Sequence, residues 1–116
     1  MSEYIIYHNP RCRKSRETLA LLQEKGIEPV VRLYLEDVPK VDELEKIAVM
    51  LGMKPIEFTR RGETVFKELG LSKETSDEEL LACMAAHPIL MERPIVVKDL
   101  KKAVIGRPPE NVLKIL

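Results

Sequence analysis

The sequence is poor in the residues that build extracellular scaffolds and metal centres: in 116 residues there are two cysteines, Cys12 and Cys83. They lie too far apart for a CxxC redox pair, nothing has the spacing of a zinc site, and a disulfide framework is not expected. Net charge is also missing, because 19 Lys+Arg balance 19 Asp+Glu. Non-specific binding to nucleic acid or to a membrane surface is therefore not suggested. No window approaches a membrane span, and Met1-Ser2-Glu3-Tyr4-Ile5-Ile6-Tyr7 shows neither a basic leader nor a long apolar stretch. A cytoplasmic location, where thiols stay reduced, is the expectation. Internal repeats and low-complexity tracts are absent too.

What is present reads as one compact domain over residues 1–116, since this length supports one hydrophobic core and not two. Tyr4 to Tyr7 is a short β-rich run broken by Asn9-Pro10. From Cys12 to Lys25, Leu19, Leu21 and Leu22 stand among polar residues before Gly26, which predicts a helix. Glu28 to Leu35 reads as a second strand, and strand-helix-strand favours a βαβ unit with parallel strands. From about Val41 to Ala86 the pattern is helical, with Leu44, Ile47, Ala48 and Leu51 in one segment, Val65, Phe66 and Leu69 in a second, and Leu80, Leu81, Met84 and Ala85 in a third. Ile95 to Val97 and Ala103 to Ile105 return to β character around the polar turn Lys98 to Lys102, and a last helix is expected from Glu110 to Leu116 after Pro108-Pro109. The order β-α-β, helical block, β-β-α describes an α/β thioredoxin-like fold, with a mixed four-stranded sheet and a helical insertion at about residues 40–87.

The chemistry concentrates in His8-Asn9-Pro10-Arg11-Cys12-Arg13-Lys14-Ser15-Arg16. A thiol becomes a nucleophile when ionised, and its pKa falls at a helix N-terminus or beside cations. Cys12 stands where a helix should begin, among Arg11, Arg13, Lys14 and Arg16, with Ser15 able to donate its hydroxyl hydrogen from one turn on. The same geometry suits a tetrahedral oxyanion, because backbone donors and guanidinium forks match its oxygens. The alternative is a buried, inert cysteine with a solvated basic helix face. The position of Cys12 after a strand and a loop, and not on an apolar stripe, favours function. His8 is close enough to help set the charge of the thiolate, and Asn9 fits a role in fixing the loop. Cys83, among Leu80, Leu81, Met84 and Ala85, reads as a core helix residue, and His87-Pro88 as the end of its helix.

The His8-Asn9-Pro10-Arg11-Cys12 run followed by Ser15-Arg16 closely resembles the glutaredoxin-linked arsenate reductase family. Glu92-Arg93-Pro94-Ile95-Val96-Val97 is similar to that family's Arg-Pro-Ile strand entry, Gly106-Arg107-Pro108 to its second arginine motif, and Arg60-Arg61-Gly62-Glu63-Thr64-Val65-Phe66 to the segment carrying a further substrate arginine. The resemblance implies a thioredoxin-like fold with cis Pro94. It implies Cys12 as nucleophile, His8 and Ser15 tuning the thiolate, and Arg60, Arg93 and Arg107 holding the oxyanion, with Arg61 a substitute for Arg60. It further implies arsenate as substrate, glutathione as co-substrate and glutaredoxin as the recycling partner, with no bound cofactor and no metal. Where the family carries Gly-Thr between the catalytic Cys and Ser, this chain has Arg13-Lys14, a bulkier and more cationic pair that leaves the preferred oxyanion open. Two other readings remain: an Spx-like regulator that binds RNA polymerase, although such proteins open with Cys-x-x-Cys and Ser15 stands at that second position here, and a general glutathione-dependent thiol oxidoreductase.

Overall fold

The computed structural model describes residues 2–116; Met1, the first residue of the N-terminal segment read above, lies outside the described residues. The chain groups into two compact units, one running to Asp37 and resuming at Arg93–Leu116, the other Val38–Glu92.

The first unit contains β1 (Tyr4–Tyr7), α1 (Arg13–Glu24), β2 (Val30–Arg32), β3 (Ile95–Lys98), β4 (Lys102–Ile105) and a closing 3₁₀ helix, Pro109–Lys114. Its four strands lie in the order β2-β1-β3-β4. β1 runs parallel to β2, as the βαβ reading requires, and β3 is antiparallel to both β1 and β4. Ile6 faces Val96 across the β1–β3 ladder. These two, with Leu22 of α1 and Val112 of the 3₁₀ helix, form a fully buried cluster that fastens both helices to one face of the sheet. Leu19, Ile27, Val104 and Ile115 pack around it. The expected α/β architecture with a mixed four-stranded sheet is thus present.

Two boundaries differ from expectation. β2 stops at Arg32 because the chain turns there: the Glu36 and Asp37 amides both donate to Leu33 O (3.0 and 2.8 Å), and Arg32 Nε pairs with Asp37 Oδ2 at 2.7 Å. Tyr34, read as a strand residue, is fully buried from this turn. The closing helix is 3₁₀ over Pro109–Lys114 and does not reach Leu116. The β3–β4 hairpin turns through Asp99 and Leu100, both left-handed (φ 54° and 53°), with no glycine in the turn. Asp99 is braced there, since its side chain accepts from Glu3 N (2.7 Å) and its amide donates to Glu3 O (2.8 Å).

The second unit holds α2 (Val41–Leu51), a 3₁₀ turn at Pro55–Phe58, α3 (Thr64–Glu68), α4 (Asp77–Ala86) and a 3₁₀ turn at Pro88–Leu90. α2 buries Leu44, Ile47 and Ala48, and α4 buries Leu80, Leu81 and Met84, so each carries the apolar stripe read from its spacing. Ser76 caps α4 by accepting from Glu79 N, and Asp77, Glu78 and Glu79 place negative charge against the positive end of the helix dipole. His87 closes α4 ahead of Pro88, as expected. Among the described residues no helix is long and apolar enough to cross a membrane.

Candidate active site

Cys12 is the N-cap of α1, in extended backbone (φ −93°, ψ 121°). Asn9-Pro10 forces a tight turn after β1: the Cys12 amide donates to Asn9 O (2.9 Å), the Arg11 amide to Asn9 Oδ1 (3.0 Å), and the Arg16 amide makes the first helical bond to Cys12 O (3.0 Å). Asn9 therefore fixes the loop, as its residue type suggests. The sulfur is left at the open end of the helix, where free N–H groups converge.

Burial by itself pushes the Cys12 thiol up, but hydrogen bonds to Sγ from the Ser15 amide, the charge of Arg93, the Lys14 amide and a hydrogen bond from the Arg93 side chain together bring its pKa below that of an ordinary thiol. Arg107 Nη1 lies 3.7 Å from Sγ and 3.4 Å from Arg93 O. Two arginines from the far end of the sequence thus reach the sulfur. Two of the neighbouring cations expected to do this are engaged elsewhere. Arg16 Nη1 donates to Pro10 O (2.9 Å), and Arg13 Nε pairs with Glu17 Oε1 (3.3 Å) on the exposed side of α1. The extra bulk and charge of Arg13-Lys14 face solvent, and Lys14 serves the sulfur through its backbone.

Ser15 also differs from expectation. Its hydroxyl is fully buried, lies 2.6 Å from His8 Nδ1 and accepts from the Asn9 amide at 3.0 Å. It is the Ser15 amide that bonds Sγ. His8 is buried, and its pKa is lowered by that burial and by the charge of Arg16, so it is neutral near pH 7. His8 and Ser15 together form the floor beneath the Cys12 loop.

The peptide bond before Pro94 is cis, as expected, and the bond before Pro108 is cis as well, which the sequence reading did not anticipate. Three further residues shape the site without having been singled out. Gly106 passes so close to α1 that an added Cβ would sit 2.6 Å from Thr18 Oγ1. Thr18 Oγ1 lies 2.8 Å from Lys14 O and 3.2 Å from Gly106 O, and Asn111 Nδ2 donates to Arg107 O at 3.1 Å. A signal for Thr18 was available: the buried face of α1 is Ser15, Thr18 and Leu22, two polar residues on a stripe that normally holds apolar ones.

Arg60 belongs to the second unit. There its Nη2 pairs with Glu63 Oε2 at 2.8 Å, its Nε lies 3.8 Å from Glu92 Oε1, and its amide donates to Leu90 O at 2.6 Å. With Thr59, Arg61, Glu63 and Glu92 it lines an open polar cleft of about 500 Å³. Cys83, in α4, is half-buried and not in the core as expected; burial and the nearby charge of Glu79 push its thiol up. The described residues contain no cluster of His, Cys, Asp and Glu able to hold a metal ion.

The chain matches the ArsC family over residues 7–115. It is 49% identical to the arsenate reductase of Haemophilus influenzae over 97% of each chain. It is 52% identical to "Uncharacterized protein YfgD" of Escherichia coli, covering 96% of this chain and 94% of that one. The solved structure of the arsenate reductase from Vibrio cholerae superposes with a TM-score of 0.93 at 51% identity, covering 98% of both chains.

Proposed function

The chain belongs to the ArsC family, and we propose that it is an arsenate reductase whose nucleophile is the Cys12 thiolate, with glutathione as the thiol donor and glutaredoxin as the recycling partner. The observation that carries this is the setting of Cys12 Sγ, hydrogen-bonded by the first free amides of α1 and faced by two guanidinium groups. Amides and guanidiniums hold a thiolate and a tetrahedral oxyanion for the same reason: both are diffuse anions that accept several hydrogen bonds.

In the proposed sequence Cys12 Sγ attacks arsenic, an S–As bond forms, and an arsenate oxygen leaves as water after protonation. Arg93 and Arg107 offset the negative charge on the remaining oxygens. Glutathione thiolate then attacks Cys12 Sγ. The S–As electron pair passes to arsenic, which falls from As(V) to As(III) and leaves as arsenite, while Cys12 and glutathione are oxidised to a mixed disulfide. Glutaredoxin attacks the glutathione sulfur and returns Cys12 as thiolate. This route needs no second thiol beside Cys12, in keeping with Ser15 at the position where a CxxC motif would place one. His8 and Ser15 act by fixing the loop, and Arg60 is proposed on the family resemblance as a further oxyanion ligand. A reducing, cytoplasmic setting suits a thiol kept free for this chemistry.

The test is arsenite production by purified protein supplied with arsenate, glutathione and glutaredoxin. Turnover by the wild type and none by Cys12→Ser is expected. Equal turnover in both, or none in either, would sink the proposal. Turnover sustained by thioredoxin but not by glutathione and glutaredoxin would leave the reductase and reject the glutathione route.

A further inference from the structure

The side chain of Arg107 is long and exposed, so its approach to Cys12 depends on where its backbone is held. That backbone is tied on all sides. Asn111 Nδ2 donates to Ile105 O (3.3 Å) and Arg107 O (3.1 Å), and the Gly106 amide donates to Pro94 O (2.9 Å). Thr18 Oγ1 shares its hydrogen between Lys14 O and Gly106 O. Three separate elements converge on residues 105–107: α1, whose first turn binds the sulfur; the Arg93-Pro94 segment, which supplies the second guanidinium; and the closing 3₁₀ helix. Thr18 is fully buried and is the only one of these ties made by a side chain of α1.

We propose that Thr18 and Asn111 are positioning residues for Arg107, locking its backbone to α1 and to the 3₁₀ helix so that the guanidinium is presented to Cys12. The groups that bond the sulfur are the Ser15 and Lys14 amides and the Arg93 and Arg107 side chains, whereas Thr18 and Asn111 bond the backbone on either side of Arg107, so they act by holding that segment in place. The inference rests on reading Cys12 as the reactive thiol, and not on the identity of the oxyanion. Losing one tie leaves Arg107 attached but free to drift, and a guanidinium that drifts by an ångström gives up most of a directional contact with sulfur.

The test is the rate of Cys12 alkylation by iodoacetamide as a function of pH, followed by mass spectrometry of the Cys12 peptide so that Cys83 does not contribute. Thr18→Val keeps shape and removes the hydroxyl, Thr18→Ser keeps the hydroxyl, and Asn111→Ala removes the amide. Thr18→Val and Asn111→Ala should each slow alkylation near neutral pH about three- to tenfold, the loss expected when one hydrogen bond's worth of thiolate stabilisation goes. Thr18→Ser should stay within about twofold of the wild type. On an Arg107→Gln background neither substitution should slow the reaction further, because the group they position is gone. An unmoved profile in folded Thr18→Val or Asn111→Ala overturns the proposal, as do losses that add to that of Arg107→Gln. Should Thr18→Val not fold by circular dichroism, Asn111→Ala, a partly exposed site, decides alone. The readout needs no arsenate turnover, so failure of the reductase assignment and failure of this inference are separate results.

Discussion

Gly106→Ala should destabilise the protein strongly although it adds a single methyl group. The new Cβ would lie 2.6 Å from Thr18 Oγ1 and 2.9 Å from both Thr18 Cγ2 and Pro94 Cγ. Carbon atoms settle at about 3.5–4.0 Å, so all three contacts are well inside the repulsive wall. None of the neighbours can yield cheaply. Pro94 is a buried ring in a cis bond, and Thr18 is fully buried and held by Lys14 O and Gly106 O. Overpacking of this kind costs about 1–3 kcal/mol, and displacing Thr18 would forfeit about another 1 kcal/mol for its hydrogen bond, giving roughly 2–4 kcal/mol.

Urea denaturation reads this directly. With a slope of about 2 kcal/mol/M, a loss of about 3 kcal/mol lowers the midpoint by about 1.5 M. The double variant Gly106→Ala/Thr18→Ala removes two of the three clashing atoms, so its loss should fall short of the sum of the single losses by about 1 kcal/mol or more. A midpoint for Gly106→Ala within about 0.3 M of the wild type, or strict additivity in the double variant, would refute the close-approach argument.

Two further outcomes concern His8 and the β3–β4 turn. The folded protein lowers the His8 pKa below the ordinary 6.5, so the unfolded chain takes up the proton first. The stability His8 contributes is complete above about 6.5 and is lost as pH falls from there through its lower folded-state value. Urea midpoints measured from about pH 8 to about pH 5 should therefore drop more for the wild type than for His8→Gln, and parallel curves would contradict the reading. Leu100 adopts φ 53° with its side chain exposed, a conformation that costs a branched residue about 1–2 kcal/mol. Leu100→Gly should recover about 1 kcal/mol as a higher urea midpoint, net of the greater freedom of glycine when unfolded, and a lower midpoint would show that the turn is not strained.

Much of the fold was legible because its signals are local. Tyr4 to Tyr7 and Ile95 to Val97 are β-rich runs with turn residues beside them, and the Leu44, Ile47, Ala48 stripe has the period of a helix. The misreadings arose where a tertiary contact overrode pattern. Glu28 to Leu35 has the composition of a full strand, yet the Arg32–Asp37 pair and two amides on Leu33 O bend it after three residues, and Tyr34 is buried from a turn. The Glu110 to Leu116 segment has helical character, but its anchor is Val112 against Ile6, Leu22 and Val96, which 3₁₀ geometry satisfies.

At the site, the reactive cysteine was legible and the source of its activation was not. Residues adjacent on a helix point about 100° apart, so a run of cations beside a cysteine spreads its charge around the axis. Arg13 pairs with Glu17 one turn along its own face, and Arg16 turns back to Pro10 O. What reaches the sulfur must arrive from another element, and in this unit the route is through two Arg-Pro steps, each placing an arginine just before a proline and beside the start of α1. Sequence proximity therefore overstated Arg13 and Arg16 as partners of the sulfur, while residues 81 and 95 positions away supply the guanidiniums. The glycine before Arg107 belongs to the same arrangement: a side chain there would hold β4 away from Thr18 and carry Arg107 out of reach of Cys12.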